Sequence, residues 1–385
     1  MNASMNICIV GAGIFGMAAA LELCKRGHRV TLFERGRIPN PEASSTDVSK
    51  AIRRTNYSHE TYVELATRAA VQWRDWHKRT SRSIYFQTGM LIALHGFGPK
   101  HEALAGWETL SRLATDIREL TVKEAKERFP QLVLTSQDHL FYDPWAGYLR
   151  SGQALQDLAK LARDSGVTLR ENTPVAAVEE TASGAMVCWD SNRQDCDRVL
   201  VAAGPWIAKL LPTMEAQVRL TRQQMAFFVP TDPALFQRGR FPVWSIFSPG
   251  NLWYGFPYLH EGWVKVAEDS KVEDTRVDVS REPTAEFLDW AGDFVAQRIP
   301  ALSRGKLAGG RSCLYTNMAN MEDEQFIIDW APGRERVLIA GCGCGHGFKF
   351  GGSIGPVIAD ALEDLENPLG DLFRIGNRFK RKEMD

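Results

Sequence analysis

Asn6-Ile7-Cys8-Ile9-Val10 runs straight into Gly11-Ala12-Gly13-Ile14-Phe15-Gly16, and the reading of this stretch decides the fold. The first five residues are a short apolar run of strand type. After the glycines, alanines and leucines recur at helical spacing through residues 17–26, and Gly27 closes the run. A second strand, Arg29–Phe33, ends on Glu34. In such a strand–turn–helix–strand unit Gly11 permits the tight turn, Gly13 lets the backbone approach a pyrophosphate, and Gly16 lets the helix pack close to the strand. The helix N-terminus offers N–H groups and positive potential to the phosphates. Glu34, 18 residues past Gly16, is placed to accept a hydrogen bond from a ribose 2′-OH and repels a 2′-phosphate. The unit predicts a dinucleotide fold that takes FAD or NAD rather than NADP.

Further pieces of that fold lie far downstream. Residues 151–165 read as an amphipathic helix, followed by Gly166 and the strand-like Val167-Thr-Leu169. Residues 173–178 and 185–189 read as strands, and Arg198-Val-Leu-Val-Ala-Ala203 runs into Gly204-Pro-Trp206. Arg336-Val-Leu-Ile-Ala-Gly341 does the same before Gly345-His-Gly347. An apolar strand that ends in small residues and glycine brings backbone close to a cofactor. The expected nucleotide domain is therefore discontinuous (1–82, 147–214 and 305–385), which favours FAD over NAD. Residues 83–146 and 215–304 lack the βαβ rhythm. Strand patterns at 83–94, 217–229 and 253–267, a capping box Thr121-Val-Lys-Glu124 opening a helix that stops at Pro130, and a helix over 284–299 predict a second, α+β domain on a mixed sheet that bears the substrate pocket.

Composition narrows the function classes. The chain has 385 residues, a formal net charge of −1, 44% apolar and 24% charged residues, which is ordinary for a globular protein of two domains. No basic excess draws it onto nucleic acid or an anionic membrane. No apolar stretch approaches the roughly 18 residues of a membrane span. The N-terminus shows no signal-peptide pattern, and the seven cysteines are scattered and odd in number, so a cytoplasmic protein with reduced thiols is expected. Cys342-Gly343-Cys344 is too tight for a structural zinc pair, and no metal site is expected. The basic tail Arg378-Phe-Lys-Arg-Lys382 reads as a solvated end, and the near-neutral charge suits a monomer or small homo-oligomer.

Four further stretches carry chemistry: Ser44-Ser-Thr-Asp-Val-Ser-Lys50-Ala-Ile-Arg53-Arg54; Tyr254-Gly-Phe-Pro257 followed by Lys265; Arg311-Ser-Cys313-Leu-Tyr-Thr316 followed by Phe326-Ile-Ile-Asp329; and Gly345-His-Gly-Phe-Lys349-Phe350. In this order, together with the N-terminal fingerprint, they resemble the monomeric sarcosine oxidase family of amine oxidases, which includes N-methyltryptophan, pipecolate and fructosyl-amino-acid oxidases. The resemblance runs from Ile7 to about Leu362. It implies an α/β fold of the glutathione-reductase-like, D-amino-acid-oxidase-like class: a Rossmann-type FAD-binding domain interleaved with an α+β substrate domain on a mixed sheet. It implies an enzyme that oxidises a secondary amine bearing a carboxylate to an imine, with O₂ reduced to H₂O₂.

Residue by residue, the resemblance implies that Cys313 carries FAD as an 8α-S-thioether and that Lys265 sits over the flavin and promotes its reaction with O₂. Lys349 and either Arg53 or Arg54 clamp the substrate carboxylate, Arg by bidentate geometry and Lys as a point charge. Lys50 lies near the flavin, and Tyr254 faces the substrate. The cofactor is expected against Gly11, Gly13, Ile14, Phe15, Gly16, Glu34, Arg35, Ser45, Lys50, Val175, Gly204, Cys313, Gly345, Gly347, Phe348 and Lys349. Four residues after Lys265 the sarcosine oxidases have histidine, whereas here stand Glu268 and Asp269, closer to the fructosyl-amino-acid branch. Asp269, or Glu268, is therefore expected to meet a polar or cationic part of a substrate larger than sarcosine. The rivals are a dehydrogenase with another electron acceptor, a biosynthetic imine-forming oxidase, and a flavin-binding subunit without catalysis.

Overall fold

The computed structural model describes residues 3–97, 102–114, 116–269 and 274–375, so the basic tail lies outside the described residues. Asn6–Val10 is the centre of a six-stranded sheet. It pairs in parallel with Arg29–Phe33 on one side and Arg198–Val201 on the other. Thr168–Arg170 extends the first side; Val337–Gly341 and the antiparallel Ile327–Trp330 extend the second. This is a doubly wound α/β sheet drawn from three separated stretches of chain. Its inner strands read as nearly unbroken apolar runs because helices cover them: the central five residues show one half-buried and four buried positions.

Glycine sets how closely these layers approach. Gly11 has φ +107°, and a Cβ there would lie 2.4 Å from the Ala202 carbonyl oxygen. Gly16 opens no turn. It sits inside the helix Ile14–Lys25, where a Cβ would come within 2.0 Å of Gly11 O. A second helix, Gly351–Leu362, packs on the first through Gly355, whose Cβ would meet Ala18 O at 2.6 Å.

The second sheet has eight strands in the order 306–318, 218–229, 264–268, 251–258, 243–248, 90–95, 138–143, 118–120. It is mixed: Val243–Ser248 runs parallel to Met90–His95, and the other neighbours are antiparallel. The stretch 253–267, read as one strand, is two strands, Asn251–Tyr258 and Val264–Glu268, joined through Gly262 at φ +92°. Residues 173–178 form a strand only from Ala177, as the edge of a separate three-stranded sheet. The capping box at Thr121 and Glu124 is present, and Thr284 caps the helix Ala285–Arg298. Lys306–Met318 pairs along its length with Val218–Val229, and near its end Thr316 O accepts from Cys344 N–H, just past the strand Val337–Gly341, which brings residues of the second sheet to the carboxyl end of the first. No helix among the described residues is long and apolar enough to cross a membrane.

Gly16→Ala is expected to cost about 1–3 kcal/mol through overpacking, read in urea unfolding as a lower midpoint with an unchanged slope.

Candidate active site

At the carboxyl ends of the parallel strands, where such sheets bind ligands, a cavity of about 380 Å³ runs over the glycine turn. Gly11, Gly13, Ile14, Phe15, Glu34, Arg35, Ser45, Lys50, Val175, Gly204, Gly345, Gly347 and Phe348 line it. Glu34 is 6% exposed and accepts from Ala12 N–H (3.0 Å), Gly36 N–H (3.1 Å) and Asn40 Nδ2 (2.8 Å), which fixes its carboxylate at the end of the second strand. The helix Ile14–Lys25 has no acidic residue in its first turn and no side-chain cap from Gly13, so its positive end faces the cleft uncompensated. Ser45 Oγ accepts from Ile14 N–H at 3.1 Å, tying the loop that follows the second strand to that helix end. Thr316 Oγ1, buried in the cleft wall, has no hydrogen-bond partner among the described residues. A cleft lined by an anion-seeking helix end, a fixed carboxylate and an unmet hydroxyl fits an FAD.

Three further residues named as cofactor contacts do not line this cleft. Gly16 lies off the cleft, because its place in the helix is set by contact with Gly11 O. Lys349 lines the neighbouring cavity instead. Cys313 lines neither. It is 2% exposed in an apolar cluster with Met225, Phe227, Ala267 and Tyr315, and its Sγ lies 3.6 Å from the carbonyl oxygen of Ser44, which does line the cleft. The thiol thus stands one residue's thickness behind the wall, two positions before Tyr315 on the same strand.

The second cavity, about 1290 Å³, adjoins the first through Lys50, Tyr315, Cys344, Gly345 and Phe348, which line both. Lys265, Arg53, Lys349, Tyr254, Lys50 and Asp269 all line it. Glu268 does not, because it is the residue before Asp269 on an alternating strand and points to the other face. The two consecutive arginines also separate. Arg53 reaches the cavity, with its guanidinium 4.9 Å from the Tyr57 ring centroid. Arg54 turns away and binds Asp143 (2.8 Å) and Asp116 (2.9 Å), and the Asp143 side chain is fully buried. Lys349 Nζ donates to Tyr57 Oη (2.8 Å) and to the His346 carbonyl oxygen (2.6 Å).

Lys265 is the most buried cation of the cavity, at 1% exposed. Its Nζ donates to Asp47 Oδ2 (2.5 Å) and Ser49 O (2.9 Å), and lies 4.9 Å from the Phe256 ring centroid. Burial lowers its pKa to about 8, against the opposing pull of Asp47. Burial pushes the Asp47 carboxyl up, but the ammonium groups of Lys265 and Lys50 outweigh it and hold the acid below its usual range. Burial, reinforced by Asp269, pushes the Tyr254 hydroxyl well up, and it shares a hydrogen bond with Tyr315. Both phenols stay neutral and serve as hydrogen-bonding walls rather than bases. Sequence reasoning passed over Asp47, Tyr57 and Tyr315. One signal was available: Asp47 is the only acid in a stretch that otherwise supplies Lys50, Arg53 and Arg54, and buried cations need an anion.

Arg54→Leu strands the buried Asp143 carboxylate and is expected to lower stability by about 3–5 kcal/mol, whereas Arg53→Leu, which leaves no buried carboxylate unpaired, is expected to cost less than about 1 kcal/mol. Denaturant unfolding of the two variants checks the contrast.

Among known proteins the chain is 28% identical to the monomeric sarcosine oxidase of Bacillus sp. (strain NS-129), over 93% of each chain. It is 25% identical to the N-methyl-L-tryptophan oxidase of Yersinia pestis (strain Pestoides F), over 94% of this chain and 96% of that one. Its fold matches the solved fructosamine oxidase (Amadoriase II) of Aspergillus fumigatus with a TM-score of 0.80 at 22% identity, covering 97% of this chain and 90% of the other. The pattern of the FAD dependent oxidoreductase (DAO) family spans residues 6–361, and with the cleft and the α/β fold described above, the chain belongs to that family as an FAD-dependent oxidoreductase.

Proposed function

We propose that the chain is an oxidase of amino acids whose nitrogen is a secondary amine. The observation that carries this reading is the convergence of Arg53, Lys349 and Lys265 in one cavity that adjoins the cofactor cleft. Arg53 and Lys349 hold the substrate carboxylate, the first as a planar fork and the second as a point charge. Tyr57 braces both, by its ring under Arg53 and its hydroxyl on Lys349. Cations around the bound amine favour its neutral form, so the chain needs no dedicated base. Bound FAD supplies two-electron oxidation of the C–N bond and returns the electrons to O₂ as H₂O₂. The imine is then hydrolysed to an amine and a carbonyl compound, or persists as a cyclic imine if the substrate is cyclic. Lys265 provides the positive charge that favours reduction of O₂.

The substrates in the two relatives' names, sarcosine and N-methyl-L-tryptophan, are both N-methyl amino acids. Asp269 in the wall, and a cavity of about 1290 Å³, support a substrate larger than sarcosine with a polar or cationic part, as a fructosyl amino acid or a precursor of a specialised metabolite would have. We also propose that Cys313 tethers the flavin. Its position beside Ser44 and Tyr315 supports this. The odd number and scattered spacing of the cysteines suit reduced thiols and a cytoplasmic enzyme.

An anaerobic screen of N-methyl, cyclic and fructosyl amino acids tests the reading. At least one is expected to bleach the flavin, with H₂O₂ appearing once air is admitted; bleaching by none of them, or bleaching without peroxide in air, rejects it. With that amine, Arg53→Leu and Lys349→Met are each expected to raise KM by about tenfold or more, and to leave KM unchanged for its decarboxylated analogue. Acid precipitation is expected to leave the yellow colour on the wild-type chain and in the supernatant of Cys313→Ala.

A further inference from the structure

Lys265 and Lys50 come from different parts of the chain and meet one carboxylate. Asp47 Oδ2 is 2.5 Å from Lys265 Nζ and 3.5 Å from Lys50 Nζ. The side chains of Asp47 and Lys265 are each 1% exposed. The acid cannot swing toward solvent. Its carbonyl oxygen accepts from Ser151 Oγ (2.8 Å) and Gly152 N–H (2.9 Å) at the start of the helix Ser151–Asp164, and its Oδ1 accepts from Val48 N–H (2.7 Å). Lys50 lines both the cleft and the larger cavity, Lys265 lines the cavity, and Asp47 stands behind the two. Other titratable groups face the cluster: Cys313 and Arg311 from the strand Lys306–Met318, and Tyr254 from Asn251–Tyr258. Arg311 is a further cation, and the thiol and phenol are neutral in their protonated forms, so Asp47 supplies the anion.

We propose that Asp47 is a positioning residue whose buried carboxylate binds Lys265 and Lys50 into one cluster of net charge +1 (two ammonium groups, one carboxylate) and keeps the proton on Lys265. The proposal rests on the oxidase reading, which gives Lys265 its task toward O₂. The physical basis is the opposition of three influences. Burial and the like charge of Lys50 both drive a proton off Lys265, and only an adjacent anion reverses them. Removing the charge of Asp47 while keeping its shape leaves the first two unopposed. Removing Lys50 acts in the opposite direction.

The test uses the holoenzyme with its flavin reduced photochemically, so that no amine is involved, and follows reoxidation by O₂ against pH. The wild-type rate falls on the alkaline side as Lys265 loses its proton. Asp47→Asn is expected to move that fall to lower pH by at least about one unit, a loss of about fivefold or more at the wild-type midpoint, and to approach the wild-type rate in mild acid. Lys50→Met is expected to move it upward. In a Lys265→Met background neither change has a further effect.

Thermal unfolding of the holoenzyme provides a readout apart from turnover. The folded-state pKa of Lys265 lies at about 8, below its ordinary 10.5. Between the two values the unfolded chain holds a proton that the folded one lacks, so this lysine contributes a rise in Tm with pH across that window. The lower edge of the rise is expected to shift to lower pH in Asp47→Asn. Wild-type pH profiles of both rate and Tm in Asp47→Asn overturn the proposal. If Asp47→Asn does not fold, Lys50→Met decides alone: a midpoint that stays put shows the lysines uncoupled and overturns it as well. Loss of Lys265 without any change in reoxidation rejects the oxygen role instead, while the Tm profiles still report on the proton.

Discussion

A lysine ammonium shut away from water is the constraint on which the centre of this molecule depends. Taking such an ion out of solvent costs several kcal/mol even after relaxation, and the cost is offset only by a well-placed counterion with its remaining hydrogen bonds met. Lys265 lies on the second sheet, and its counterion Asp47 lies on the loop after the second strand of the first, 218 residues away in sequence. The pair therefore tells the two sheets where to stand. Asp47 in turn is held by the first turn of the helix Ser151–Asp164, which belongs to the layer over the parallel strands. With that junction in place, the cleft and the cavity share a wall, and Lys50 and Tyr315 are exposed to both.

The same economy of charge separates neighbours along the chain. Arg53 and Arg54 are adjacent and chemically identical, yet one lines the cavity beside Tyr57 and the other is consumed by Asp143 and Asp116. The strand Lys50–Ile52 ends just before them and the chain bends at Arg54, so the two side chains part. Glu268 and Asp269 divide likewise. One acid is buried on the far face of its strand, and the other reaches the larger cavity. In both pairs, composition alone offered two candidates and backbone geometry admitted one.

Much of the architecture was legible beforehand because its signals are local. The glycine turn, the apolar strand before it and Glu34 after it sit within 29 residues, from Asn6 to Glu34, and each follows from backbone sterics or phosphate chemistry. The capping box at Thr121 and the cap at Thr284 are likewise local hydrogen bonds. The misreadings were of another kind. Residues 253–267 form two strands because Gly262 turns the chain between two apolar runs that look continuous on paper. Residues 173–178, likewise read as one strand, pair only from Ala177 onward, as the edge of a separate three-stranded sheet. Neither pattern is written in residue type.

By itself, then, the sequence determined the dinucleotide-binding class of the first sheet and the preference for FAD, and its resemblance to a known family pointed to the cations around the site. The dinucleotide-binding class depends on spacing within one strand–turn–helix–strand unit, where covalent geometry dictates what each residue faces. The tertiary structure decided which of those residues meet. It put Arg53 rather than Arg54, and Asp269 rather than Glu268, on the larger cavity, brought Lys349 to Tyr57, and gave Lys265 a carboxylate from 218 residues away. The reason is that a buried charge has no local preference for its partner. Its energy is set by whatever stands a few ångströms away once water has gone, and that distance exists only after the two sheets have closed on each other.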